Sequence, residues 1–264
     1  MKEFHIVSIG NSLIKNFTDH DPGISSSMKS RVWNDLINDS AFLDRMQKFL
    51  EKDPMKYSAE INSLFHYCKK KRLEPIDVEI FPVATTTPSN EIALSAISKY
   101  LHSAGISVYS PKQFSGYFGC REGEACESFT KGMIDLLDKM VYIVSCKKEE
   151  GYHVSLNATG GFKAYVITLA MVGFMTQSEV YYMHEEFNDV IIFPSLFHFP
   201  NKREMELISL LSRNVTDCND LFRDFSAEIS LLSRYHILKI TGPGAEPRIE
   251  LTNIGRFIAK SKIC

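Results

Sequence analysis

Residues 153–175 read HVSLNATGGFKAYVITLAMVGFM, and they are the most informative part of the sequence for the fold class. His153–Leu156 alternates polar and apolar residues as a short strand does, and Ala164–Met175 is apolar enough for a buried helix. The glycines of Asn157–Lys163 mark a tight loop between them. A strand that passes through such a loop into a helix is the repeating unit of a parallel sheet, so this stretch predicts an α/β fold.

The alternation of strands and helices continues on both sides of this stretch. It predicts a Rossmann-like, mostly parallel sheet with helices on both faces. The other expected strands are Phe4–Ile9, Val78–Ala84, Ile106–Tyr109, Met140–Ser145, Val180–His184 and Val190–Phe193. Between the strands we expect helices at Asn90–Ala104 and Ala125–Lys139, a charged turn at Lys147–Gly151, and a helical insertion at about 27–71 that Pro54 divides.

The character of the sequence changes near Pro200. Lys202–Arg213, Asp217–Phe225 and Ala227–Arg234 have helical spacing, and Ile237–Ile240 and Arg248–Leu251 flank a Gly-Pro-Gly turn before a last helix, Ile254–Lys260. Three helices followed by a two-stranded wing are typical of a winged helix-turn-helix. We therefore expect two domains, 1–200 and 201–264.

Composition excludes several classes of protein. The 264 residues carry 30 Lys and Arg against 32 Asp and Glu, a formal net charge of −2, which is not that of a polycation. No apolar run reaches the roughly 18–20 residues that a membrane span needs. The 6 cysteines have no zinc-ligand spacing, so we expect no metal or other cofactor and reduced thiols in the cytoplasm.

Two loops carry the residues that suit a phosphate ligand. Asn157–Lys163 combines adjacent glycines, which admit a ligand close to the backbone, with a helix N-terminus, a Thr hydroxyl and a Lys within one turn. Ile9–Leu13 follows the first strand, so it opens on the same edge of a parallel sheet. The spacing is not that of a Walker A loop. The alternative is a tight strand-to-helix turn in which the glycines serve geometry and Lys163 faces solvent.

Both loops resemble motifs of the CARF domains, the CRISPR-associated Rossmann-like domains. Asn157-Ala158-Thr159-Gly160-Gly161-Phe162-Lys163 is similar to their N-x-T-G-G-[FY]-K signature. The segment from Ile9 to Asn16 is similar to the Gly-Thr/Asn-Ser-Leu-Leu-x-Asn segment after their first strand, with Asn11 where Thr is common. The whole layout resembles the CARF ring nucleases of type III CRISPR systems.

The resemblance implies a homodimer that binds a cyclic oligoadenylate, usually cyclic tetra-adenylate, across its two-fold axis. It further implies metal-independent cleavage to linear di-adenylate with a 2′,3′-cyclic phosphate, which switches off antiviral signalling. The family's catalytic Ser and Lys fall on Ser12 and Lys163: Ser12 would position the phosphate or 2′-oxygen, and Lys163 would stabilise charge on the phosphoryl oxygens. Ribose and phosphate contacts would come from Gly10, Asn11, Asn157, Thr159, Gly160 and Gly161.

Two further segments are candidates for ligand contact. Thr86, Ser89 and Asn90 follow the second sheet strand and are placed to reach adenine, although a capped helix N-terminus explains them equally well. The glycine-rich segment Gln113–Gly123 is a candidate lid, for which a plain surface loop is the alternative.

Two other functions fit the same sequence. A winged helix can make the chain a ligand-responsive transcription regulator, but residues 201–264 carry only 10 Lys and Arg against 8 Asp and Glu, which disfavours DNA binding while leaving it open. A sponge that binds the ring without cutting it needs the same pocket. A ligand-activated ribonuclease is not indicated, because no Arg-x4-6-His motif is convincing.

Overall fold

The computed structural model describes residues 2–21, 24, 30–85, 87–109, 125–184, 186, 189–193, 198–213, 218–242 and 248–260. The strands are β1 Glu3–Ser8, β2 Val78–Val83, β3 Ser107–Val108, β4 His153–Asn157, β5 Glu179–Tyr182, β6 Ile191–Phe193, β7 Leu238–Thr241 and β8 Arg248–Leu251. The helices are α1 Ser12–His20, α2 Ser30–Leu36, α3 Ser40–Lys52, α4 Pro54–Tyr57, α5 Ala59–Lys71, α6 Pro88–Ser103, α7 Ala125–Glu149, α8 Lys163–Met175, α9 Lys202–Ser212, α10 Cys218–Arg234 and α11 Asn253–Lys260.

Six strands form one sheet in the order β3-β2-β1-β4-β5-β6. All neighbouring pairs are parallel except β5 and β6, which pair antiparallel through Tyr181 and Ile192. The fold is thus the predicted α/β class with a mostly parallel sheet. This order reverses between β1 and β4, and ligands of such sheets bind in the crevice beyond the carboxyl ends of the strands at that point.

Alternate residues of β1 divide between two cores on opposite faces of the sheet. Val7 points into one core with α1, α3, α5 and α6, while Phe4 and Ile6 point into the other with α7 and α8. This alternation is the ordinary consequence of a strand covered on both faces. Both loops of interest therefore leave a sheet that is held rigidly from two sides.

The described residues of the helical insertion form α2, α3, α4 and α5, which lie within the range expected for it. The helix α1 is not among the helices that the sequence predicts, and the loop expected at Ile9–Leu13 runs into it at Ser12. Its side chains Leu13, Ile14 and Phe17 are buried at i, i+1 and i+4, which is one face of a helix. The first loop is consequently very short, and Ser12 is the first residue of α1.

The predicted strand Met140–Ser145 is wrong, since these residues continue α7 to Glu149. The run of β-branched residues favoured a strand, but Leu136, Met140 and Val144 are buried at intervals of four, which is helical spacing. The predicted turn at Lys147–Gly151 accordingly begins inside this helix. Neither α7 nor any other helix in the described ranges is long and apolar enough to cross a bilayer.

The chain divides into two compact units, Met1–Phe193 and Pro194–Cys264. The second unit has its own core, which includes Leu207, Leu232 and Leu251. It contains α9, an α10 with non-helical backbone at Phe225, the antiparallel pair β7 and β8, and α11. The winged helix-turn-helix assignment of this unit stays a prediction.

Candidate functional site

The loops that follow β1 and β4 touch each other at the point where the strand order reverses. A Cβ atom on Gly10 would lie 2.8 Å from the Cα of Gly161 and would overlap its backbone nitrogen, so only glycine fits at position 10. Gly161 has a φ of 104°, which an L side chain rarely adopts. The two glycines therefore allow two backbones to pass at contact distance, and they bring the predicted motifs into one site.

Asn157 shapes the second loop from within. Its side chain is fully buried, and its amide nitrogen donates to the hydroxyl of Ser63 on α5 at 2.8 Å. Its amide oxygen accepts the backbone N–H of Thr159 at 3.1 Å, and the Thr159 hydroxyl accepts the N–H of Met183 at 3.1 Å after β5. These bonds hold the loop in place, so the Asn157 side chain supports the site from beneath.

Lys163 begins α8 at the exposed end of this loop. The N-cap residue of this helix is Phe162, and its side chain makes no capping hydrogen bond. An uncapped helix N-terminus carries a partial positive charge and suits an anion. Among the described residues Lys163 has no ion pair, so its ammonium group is free to meet a ligand. Tyr165 in the same turn donates to Ala84 O at 3.5 Å, which ties this turn to the end of β2.

Ser12 lies half-buried at the start of α1, and its hydroxyl group already donates one hydrogen bond and accepts another. Its hydroxyl donates to Glu60 Oε2 at 2.6 Å, and its Oγ accepts the backbone N–H of Ala59 at 3.1 Å. One lone pair of Oγ remains open. The hydrogen of the Ser12 hydroxyl is thus directed toward Glu60.

Glu60 joins the two loops and was missed by sequence reasoning. It lies in the first turn of α5, is 1% exposed, and accepts the N–H of Gly10 at 2.8 Å and the hydroxyl of Ser58 at 2.8 Å in addition to that of Ser12. A Cβ on Gly160 would lie 2.8 Å from its Cδ. A Glu in the first turn of a helix is ordinary, so no local signal could have singled it out.

The remaining predicted residues have mixed outcomes. Asn11 is exposed at the N-cap of α1 without a side-chain cap bond, whereas the N–H of Gly10 is taken by Glu60. Asn90 is buried in α6 and donates to Thr85 Oγ1, while its Oδ1 has no partner among the described residues. Ser89 is half-buried beside it. Thr86 and the candidate lid Gln113–Gly123 lie outside the described residues.

The site thus combines an exposed cation and a helix N-terminus with a buried carboxylate that fixes a serine hydroxyl. In the described part of the chain no group of three or more His, Cys, Asp or Glu side chains is arranged to hold a metal ion. The arrangement offers an anion a positive rim at Lys163 and presents a serine hydroxyl that is hydrogen-bonded to a carboxylate.

Two solved structures are similar to this chain at low identity. The crystal structure of protein VC1899 from Vibrio cholerae covers 69% of this chain and 57% of its own, at 10% identity and a TM-score of 0.30. Enterococcus italicus Csm6 bound to cyclic hexa-2′-fluoro-hexa-dAMP covers 98% of this chain and 52% of its own, at 14% identity and a TM-score of 0.39. The chain therefore spans little more than half the length of either protein.

The chain also matches a known protein family over more than half of its length. Residues 55–196 match the family described as CRISPR-associated protein (Cas_APE2256). The matched range contains Glu60 and the whole Asn157–Lys163 motif. It confirms the resemblance that this motif indicated, and because it covers more than half of the chain, the protein belongs to this CARF-type family of CRISPR-associated proteins.

Proposed function

We propose that the protein binds cyclic tetra-adenylate across a homodimer and cleaves it, without a metal ion, to linear di-adenylate with a 2′,3′-cyclic phosphate. By removing this messenger in the cytoplasm, it would end type III antiviral signalling. The observation that carries the proposal is the contact between Gly10 and Gly161, which joins the loop of Ser12 to the loop of Lys163. Membership of a CARF-type family supports the ligand class.

The proposed reaction needs alignment and charge neutralisation more than a nucleophile from the protein. A ribose 2′-oxygen attacks the adjacent 3′-phosphorus, and the 5′-oxygen of the next nucleotide leaves. The two oxygens must lie in line with phosphorus. Holding them in this geometry when the ring binds removes much of the entropic part of the activation barrier. The phosphorane carries extra negative charge, which Lys163 and the N-terminus of α8 would stabilise. Ser12 lies on the neighbouring loop, where it would meet the 2′-oxygen.

Adenine recognition is assigned to the end of β2. The buried Oδ1 of Asn90, which has no hydrogen-bond partner in the part of the chain that the structure describes, is an acceptor that would suit the exocyclic amino group of adenine. Thr86 and Ser89 remain proposed contacts of the same base.

The exposed face of α8 supports a homodimer. Lys163, Ile167, Met171 and Met175 follow one another at intervals of four, so they form one stripe along the helix. The last three are 60%, 48% and 47% exposed, which is unusual for a contiguous apolar stripe. Parallel pairing of two copies along this stripe, with the two-fold axis running along α8, would bring both Lys163 residues to the same end of the interface. A C2 dimer would then offer two equivalent sites to a ring of four nucleotides, and two cuts would yield two di-adenylates.

The test is incubation of the full chain with labelled cyclic tetra-adenylate in EDTA, followed by chromatography. Wild-type protein is expected to release linear di-adenylate with a cyclic phosphate. Lys163→Ala is expected to lower the single-turnover rate by about 100- to 1000-fold, the usual loss when one donor to a transition-state anion is removed. Lys48→Ala, which removes an exposed lysine from α3, is the matched control and should keep the wild-type rate.

The other outcomes separate the competing functions. Tight binding without product contradicts the nuclease and leaves a sponge or a ligand-responsive regulator. A DNA-shift assay with and without the ring then distinguishes those two. Cleavage that EDTA abolishes contradicts the metal-independent mechanism, and equal rates for Lys163→Ala and wild type contradict the role of Lys163.

A further inference from the structure

Glu60 is a buried carboxylate to which the proposed function assigns no role. It is a carboxylate that is 1% exposed, and among the described residues it has no cationic partner. A buried carboxylate without a counter-ion is costly unless it accepts several hydrogen bonds. Glu60 accepts three, from the Gly10 amide and from the hydroxyls of Ser12 and Ser58. These hydrogen bonds hold the carboxylate beside a site that is proposed to bind phosphate.

The hydrogen bonds around Ser12 indicate a role for the Glu60 carboxylate. The Ser12 hydrogen is directed to Glu60 Oε2 at 2.6 Å, and the Ala59 N–H occupies one lone pair of Oγ at 3.1 Å. One lone pair of Oγ remains open and the residue is only half-buried, so Ser12 can accept a further hydrogen bond while it donates to Glu60. A hydroxyl bonded in this way to a carboxylate has the arrangement of a nucleophile with its base. Here it is placed to pass a proton on.

We infer that Ser12 and Glu60 form a proton relay for the ribose 2′-hydroxyl; this inference rests on the proposed ring cleavage. The 2′-oxygen gives its proton to Ser12 Oγ, while Ser12 gives its own proton to Glu60 Oε2. A bond forms between the 2′-oxygen and phosphorus, and the bond from phosphorus to the departing 5′-oxygen breaks. Solvent protonates the 5′-oxygen. Glu60 returns its proton to solvent through Ser12 after the product leaves.

The relay gives the two halves of the site different tasks. Lys163 stabilises the charge that develops on phosphorus-bound oxygen, whereas Glu60 acts through Ser12 on the attacking oxygen. It also explains why Ser12 is hydrogen-bonded to both Glu60 and Ala59: an unanchored hydroxyl would donate to the phosphate and would leave the 2′-proton without an acceptor.

Glu60→Gln is the decisive variant because glutamine has nearly the shape of glutamate, but its side-chain nitrogen donates a hydrogen bond to Ser12 where the carboxylate oxygen accepts one. The side-chain oxygen of glutamine can still accept the hydrogen bond from the Gly10 N–H. Its amide nitrogen can donate one hydrogen bond to Ser12 and one to Ser58. The Ser12 Oγ then accepts from both Ala59 and Gln, so its hydrogen turns toward the ligand. We expect ring affinity within about threefold of wild type and a single-turnover rate at least about 100-fold lower, the usual contribution of general base catalysis.

Three controls separate a relay from a structural role. Glu3→Gln removes another carboxylate that is 2% exposed, at the opposite end of β1, and should cut at the wild-type rate. Ser12→Ala and the double variant Ser12→Ala/Glu60→Gln should cut at rates equal to within about twofold, since removal of Ser12 already breaks the relay. In wild-type protein, a proton inventory in mixtures of H2O and D2O should be curved, because two protons move in the step. This last measurement stands even if Glu60→Gln fails to fold.

The outcomes are distinguishable from those of the proposed function. A wild-type protein that never cuts the ring overturns both. A wild-type protein that cuts, beside a Glu60→Gln variant that cuts nearly as fast, overturns the relay alone. Full additivity in the double variant, or a linear proton inventory, also overturns the relay while leaving ring cleavage in place.

Discussion

His5 lies in β1 with its ring fully buried on the face that α5 covers. Its Nδ1 is 3.1 Å from the hydroxyl of Tyr181, and its Nε2 has no hydrogen-bond partner in the described part of the chain. Burial, with a smaller contribution from nearby His153, lowers the pKa of His5 to about 3. The native protein therefore keeps this imidazole neutral at pH values where an unfolded chain protonates it.

The free energy of unfolding should consequently fall as the pH drops from about 6.5 toward 3. In that window the unfolded state binds one more proton at position 5, which costs up to about 1.4 kcal/mol per pH unit. Glu3 raises the pKa of His153 through a hydrogen bond at 2.8 Å. His153 therefore acts in the opposite sense, and its stabilisation is lost only as the pH rises through its raised pKa.

Urea unfolding at pH 7, 6 and 5 measures this slope. His5→Phe removes the titrating group but keeps an aromatic ring, so its stability should depend less steeply on pH than that of wild type. His102→Gln replaces an exposed histidine on α6 and should keep the wild-type slope. An unchanged slope in His5→Phe would contradict the prediction.

Sequence reasoning located the residues whose pattern is local and missed those that depend on distant partners. The Asn157–Lys163 motif is contiguous, and its loop and helix can be interpreted from seven letters. Glu60 lies 48 residues from Ser12 along the chain, and its role depends on a fold that places α5 beneath both loops. The same holds for the Gly10 amide, whose engagement by Glu60 no pattern indicates.

The long helix α7 shows how an element can be mistaken although its neighbours are predicted correctly. Lys147 was expected in a solvated turn, yet its side chain is 9% exposed. Its ammonium group lies 5.0 Å from the ring centre of Phe4 and 4.7 Å from those of Tyr109 and Tyr152, and it pairs with Glu79 at 3.2 Å. These contacts hold the last turn of α7 against the sheet.

Lys147→Ala should therefore destabilise the protein by about 1–3 kcal/mol, since desolvated cation–π contacts contribute about 2 kcal/mol and Glu79 loses a charged partner. Lys139→Ala removes an exposed lysine that pairs with Asp135 on the same helix, and its cost should stay below about 1 kcal/mol. Urea unfolding at neutral pH measures both. Equal effects of the two substitutions would contradict the anchoring role of Lys147.

The elements that sequence predicted well are those whose pattern has a single explanation. β1, β2 and β4 are short, alternating or wholly apolar, and end at glycine or polar residues, which matches strands buried in a parallel sheet. Met140–Ser145 fits a strand equally well when considered alone. Only the burial of Leu136 and Lys147 on the same helical face, which depends on tertiary packing, decides the matter.

For the molecule as a whole, the stripe on α8 makes a prediction about assembly. Met171→Asp would place a carboxylate in the proposed apolar interface, where burial without a partner costs more than 1.4 kcal/mol, so the dimer Kd should rise at least about 10-fold. Ile76→Asp makes the same kind of change at a residue that is 87% exposed, outside the stripe, and should leave the Kd unchanged. Analytical ultracentrifugation over a concentration series measures both. A monomeric wild-type protein, or a Met171→Asp dimer of unchanged affinity, would contradict the proposed interface.

The position of β1 between β2 and β4 has a consequence for biosynthesis. The register pairs Val7 with Pro82 on one side and with Asn157 on the other, so the first strand made waits for its second neighbour until about 150 further residues have left the ribosome. At roughly 5–20 residues per second, that interval lasts on the order of ten seconds. Until then Glu60 can reach Gly10 and Ser12, but Gly161 and Lys163 do not yet exist. A nascent chain thus acquires the serine half of its site well before the lysine half, and the proposed ring cleavage cannot begin until most of the sheet has closed.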